Sequence, residues 1–149
     1  LNQEAPLLRA KKWLQIKRAQ EDQAALKLRH ALEAKAEARE ALQRLIQWQN
    51  EYGKAGMAGS RRWQPHAFQS HQGFLEGLNV QRRRAEEQIA ALEKAIRQRR
   101  SALQGCAQRR RIAEQRLANL LKQLQQKRLK AEQRQADELA CNHFSRAQG

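Results

Sequence analysis

Between Leu75 and Lys127 the sequence places a seam position every seven residues, and that repeat limits what the chain can fold into. One row reads Leu75, Arg82, Ile89, Ile96, Leu103, Arg110, Leu117 and Leu124; the row three residues on reads Leu78, Ala85, Leu92, Arg99, Cys106, Ala113, Leu120 and Lys127. Most of these side chains are apolar, and the exceptions are all long and basic. A seam with a mean spacing of 3.5 residues faces one partner continuously only if the helices wind around each other with a left-handed supercoil. A lone helix in water takes little stability from propensity, so this seam needs a second helix to cover it.

The preceding segment supplies that helix. Leu14, Ala24, Leu28, Ala31, Ala38, Leu42, Leu45 and Tyr52 fall on heptad positions, together with the polar Lys17, Glu21, Lys35 and Gln49. Pro6 suits a first turn, where its missing N–H has no partner to lose. Gly53, Gly56 and Gly59 mark a stop and a return. The fold class is all-α: one domain over residues 1–149, a rod-like antiparallel coiled-coil hairpin whose second helix is the longer. Helix 1 is expected over about 6–53, the turn over about 54–64 and helix 2 over about 65–140, with disordered ends. Gly73 and Gly77 make the start of helix 2 its soft part unless Trp63, Phe68 and Phe74 pack against it.

Folding helix 1 back on helix 2 raises the question of register. Pairing residues whose numbers total about 120 sets Leu45 against Leu75, Leu42 against Leu78, Leu28 against Leu92 and Leu14 against Cys106, and brings Glu21 to Arg99. A total of 127 opposes Leu28 with Arg99 and Leu45 with Arg82, so the first register is expected. Helix 1 is then used up opposite about Ala113 to Leu120. Leu117, Leu120, Leu121, Leu124 and Leu129 are left as an uncovered apolar stripe, which usually marks a binding surface. The bland alternative is a tail that frays or pairs with a second copy.

Composition excludes several functions. Aromatic residues make up 5% of the chain, too few for an ordinary globular core, and the net charge of +15 favours acidic partners without choosing among them. No membrane span or signal peptide is visible, so a cytoplasmic location is expected. No paired carboxylates, nucleophile with a base, or phosphate loop stands out, so neither catalysis nor a cofactor is expected. His30, His66, His71 and His143 are scattered, and Cys141 with His143 falls short of the four ligands of a structural zinc site. Cys106 reads as a small seam residue and Cys141 as part of a frayed end. The clusters at Arg82 to Arg84, Arg97 to Arg100 and Arg109 to Arg111 wrap around a helix, which gives no groove-reading face for nucleic acid.

One patch is sharper. Leu45, Trp48 and Tyr52 lie at i, i+3 and i+7, and Phe74, Leu78 and Gln81 repeat that spacing on the returning helix. They act either as a clamp on a glycine-weakened end or as aromatic anchors for a protein partner.

The run Leu45-Ile46-Gln47-Trp48-Gln49-Asn50-Glu51-Tyr52, then Arg62-Trp63, then Phe74, Leu78 and Ile89, resembles the FliJ family of flagellar export proteins. The resemblance implies an antiparallel coiled coil similar to the stalk of rotary ATPases, located in the cytoplasm at the inner-membrane export apparatus. It implies binding to the hexameric export ATPase FliI, to the export gate FlhA and to export chaperones, with no specific nucleic acid. The gate surface would be Leu45, Trp48, Tyr52, Phe74, Leu78 and Gln81. Ring engagement would fall on Leu117, Leu120, Leu121, Leu124, Lys127 and Arg128. Trp48 stands where the family usually has tyrosine, and Gln81 where a small residue is expected. The rivals are the corresponding stalk protein of a virulence secretion system and a basic nucleic-acid-binding coiled coil.

Overall fold

The computed structural model describes residues 4–59 and 64–148, and all of these except Gln64 are helical. Helix α1 spans Glu4–Gly59 and α2 spans Pro65–Gln148. Pro65 opens α2 at the position where a missing N–H costs least. The Phe68 N–H donates to the Gln64 carbonyl at 3.0 Å and closes the first turn.

Gly53 does not end α1. No glycine among the described residues takes a positive φ, and the helix continues through Gly53 and Gly56 to Gly59. At Gly56 the reason is steric: a Cβ there would overlap the imidazole ring of His71. The glycine serves as a small seam residue against a ring on α2. Of the expected turn over about 54–64, residues 54–59 are helical and 60–63, including Trp63, lie outside the described residues; of the expected disordered start at residues 1–5, Glu4 and Ala5 are helical, and 1–3, like 149, lie outside the described residues. Residues 141–148, expected beyond the end of helix 2, are helical.

The contacts divide the chain into two compact units, Ala24–Leu103 and Leu1–Gln23 with Gln104–Gly149. In the first unit α1 and α2 pair antiparallel. Ala24, Leu78 and Ile96 are buried, and Leu28, Ala31, Leu42, Leu45, Leu75, Ala85, Ile89 and Leu92 are half-buried along the seam. Lys35 and Arg39 of α1 reach Glu93 of α2 at 3.5 and 3.9 Å. Gln49 accepts from Arg82 Nη1 at 3.2 Å and donates to Asn79. In the second unit Leu14 and Ala113 are buried, with Leu7, Ala10, Leu117, Leu120 and Leu124 half-buried beside them.

The register differs from the expected one. Partner numbers total 126 for Tyr52 with Phe74, 131 for Gln49 with Arg82, 131 for Glu21 with Arg110 and 132 for Arg18 with Glu114. A total of 120 would set Arg82 against Ala38 and Arg110 against Ala10, leaving two seam guanidiniums among methyl groups. A desolvated charge without a partner is costly, and the observed register gives each arginine a polar partner on α1. Glu21 therefore meets Arg110, not Arg99. The objection to a total near 127 dissolves because Arg99 remains exposed and Arg82 bonds one turn along from Leu45.

Candidate protein-binding surfaces

Trp48, Glu51, Tyr52 and Ala55 follow one another at i, i+3, i+4 and i+7 on α1, so helical geometry brings them to one face. With Phe74 of α2 they line a groove of about 590 Å³ within the unit Ala24–Leu103. Tyr52 and Phe74 meet edge to face, with ring centroids 4.9 Å apart and planes inclined by 66°. Trp48, Tyr52 and Phe74 are 51%, 46% and 48% exposed, so each keeps about half its surface for something else. Glu51 adds an exposed carboxylate to the lining, which is otherwise apolar or aromatic.

The other expected patch residues take different places. Leu78 is buried and Leu45 half-buried in the seam, and neither lines the groove. Gln81 is exposed but does not line it. Glu51 and Ala55 were missed; the signal was there, since both lie on the stripe that Trp48 and Tyr52 begin. The hydrogen bonds of Gln49 to Asn79 and Arg82 tie the two helices together beside the groove.

The second surface lies at the end of α2. Every described residue from Gln125 to Gln148 is exposed, so cover from α1 ends after Leu124. This corrects the expected stripe: Leu117, Leu120 and Leu124 are half-buried against α1, and of the six residues expected for ring engagement only Leu121, Lys127 and Arg128 are exposed. The free apolar side chains of the uncovered segment are Leu129, Leu139 and Phe144, at 56%, 70% and 65% exposure. Leu139 and Phe144 escaped notice because they leave the heptad frame of the seam.

Within the covered part, before Leu117, lies a charged layer. Arg110 Nε donates to Glu21, and its Nη1 donates to Glu114 at 3.0 Å. Glu114 also lies 3.7 Å from Arg18. The hydrogen bond to Glu21, then that to Glu114, hold the Arg110 guanidinium above its ordinary pKa. Nearby, Arg116 sits 4.8 Å from the centre of the Trp13 ring, with Lys17 at 5.6 Å. Among the described residues there is no group of three or more His, Cys, Asp or Glu side chains placed to hold a metal ion. No described helix is long and apolar enough to cross a membrane.

Two long helices zipped by a heptad seam define an all-α coiled-coil protein. The family model for the flagellar FliJ protein matches residues 9–149, and the chain belongs to the FliJ family. It is thereby a component of the flagellar export apparatus. No curated protein and no solved structure matches the chain.

Proposed function

We propose that this chain links the export ATPase FliI to the export gate FlhA, docking the gate in the Trp48–Tyr52–Phe74 groove and offering the end of α2 to the ATPase ring. It works at the cytoplasmic face of the inner membrane and escorts export chaperones. The observation that carries the gate assignment is economy of aromatics. The chain has seven aromatic residues, and three of them line one groove while remaining about half exposed. Partly exposed aromatic rings held by a packed scaffold are the usual anchors of protein interfaces. The ring assignment rests on the exposed helix from Gln125 to Gln148, whose Lys127, Arg128 and Lys130 suit an acidic lining.

The test is titration of the cytoplasmic part of the gate protein with the full chain and with its W48A/F74A variant, at about 0.15 M salt to screen unspecific attraction. Binding weakened about 30-fold or more, with helical circular dichroism unchanged, supports the groove as the docking site. Equal binding by the two proteins removes the groove from the interface. Binding of the chain to duplex DNA in the same buffer, with none to FliI or FlhA, would overturn the whole reading.

A further inference from the structure

We infer that the charged layer of Glu21, Arg110 and Glu114 fixes the antiparallel register of its unit, and so decides where the cover on α2 stops. The argument begins with the insensitivity of the apolar seam. Leu7 and Leu14 are seven residues apart on α1, as are Leu117 and Leu124 on α2. In the observed register, with totals near 131, Leu7 is level with Leu124 and Leu14 with Leu117. A slip of one heptad in one direction sets Leu14 level with Leu124, and in the other it sets Leu7 level with Leu117. Leucine meets leucine each time, so these contacts discriminate poorly.

The charged layer is not indifferent. One slip carries Glu21 onto Leu117, and the other carries Arg110 onto Leu14. The Glu21 and Arg110 side chains are only 24% and 25% exposed, so a mispaired charge would be left largely out of water without its partner. Arg110 is held further by Glu114, which Arg18 also approaches, so a slip breaks several contacts together. Buried polar residues at single seam positions are known to select register at a cost in stability. The consequence reaches the surface: the observed register carries the cover to Leu124, whereas a total of 120 would expose Leu117, Leu120 and Leu124 as well.

The test uses the full chain with Cys106 and Cys141 replaced by serine and two cysteine pairs introduced separately. A10C/L120C reports the observed register and L7C/L117C the slipped one. A short bismaleimide is the crosslinker, since packed helix axes lie about 8–10 Å apart. With the native layer only A10C/L120C should link. In E21L/R110L both pairs should link, while the thermal midpoint holds or rises, because an apolar layer packs well but carries no address. The charge swap E21R/R110E should restore linking of A10C/L120C alone. Unchanged linking of A10C/L120C alone in E21L/R110L would overturn the inference. Loss of helicity in that variant would overturn it too, because it would make the layer a source of stability and not of register.

Discussion

Tyr52 of α1 and Phe74 of α2 touch edge to face at 4.9 Å, yet neither is buried. An aromatic pair that clamps two helices hides its rings in the seam. Here Leu45 and Leu78 occupy the seam, and the rings sit at its outer margin. That division of labour separates folding from recognition and leads to the first prediction.

Leu78→Ala should lower stability by about 2 kcal/mol or more, because it empties a buried seam position. Trp48→Ala should change stability by less than about 0.5 kcal/mol while weakening gate binding by about 2 kcal/mol. Thermal melts beside binding titrations measure both quantities. A large stability loss in Trp48→Ala would return the tryptophan to the role of a clamp.

The glycines divide into two kinds. A Cβ at Gly56 would collide with the His71 ring, whereas at Gly53, Gly73 and Gly77 it would meet nothing within 4 Å. Gly73→Ala and Gly77→Ala should each stabilise the chain by about 0.5–1 kcal/mol through helix propensity. Gly56→Ala should lower the melting temperature and shift the His71 imidazole resonances, and an unchanged melting temperature would show that the glycine is not required there.

Arg110 presents its Nε to one carboxylate and its Nη1 to another, which a lysine ammonium cannot reproduce with the same fixed fork. Its pKa is raised in the fold, so its contribution is complete at every pH below the ordinary arginine value and disappears only as pH rises through the folded value. Melting of the native chain should therefore show no decline from this group between about pH 7 and 10. R110K should melt lower throughout and lose further stability toward the upper end of that range, where a lysine begins to discharge. Parallel pH slopes for the two proteins would contradict this.

Removing residues 125–148 should leave the thermal midpoint nearly unchanged, because that segment buries no side chain against α1. Binding to the export ATPase, proposed above for this end of α2, should be lost with it. A midpoint lowered by many degrees would mean that the segment packs somewhere on the chain.

Much of the fold was legible in the sequence because a heptad seam is a periodic signal. Leu75, Leu78, Ile89, Leu92, Ile96, Ala113 and Leu117 all lie in the seam as read. Arg99 also occupies a seam position yet stays exposed, as a long basic chain can by reaching back to water, whereas Lys127 is exposed because cover from α1 has already ended. Register was not legible from leucines, since a periodic pattern matches itself after each shift of seven. Its evidence lay in residues that looked like defects: Glu21 and Gln49 are separated by the same interval as Arg82 and Arg110, and pairing them antiparallel gives the observed alignment. The end of α1 lies beyond the point where its glycines suggest a stop, because Gly56 answers a steric demand from α2 that no local pattern contains. The groove was legible in its rings and not in its margin, since Glu51 and Ala55 acquire meaning only once Phe74 lies opposite.

The bare end of α2 also has a thermodynamic character of its own. Its two dozen residues make about seven turns of helix that take support from side-chain propensity, a length at which helix and coil differ little in free energy. A partner that grips this segment must first hold it helical, and the work of doing so is subtracted from the affinity. Substitutions that touch no partner atom, such as exchanging Ala131 or Ala136 for glycine, would then loosen the complex simply by favouring coil. Exchanges at such positions would adjust grip strength without altering the contact surface.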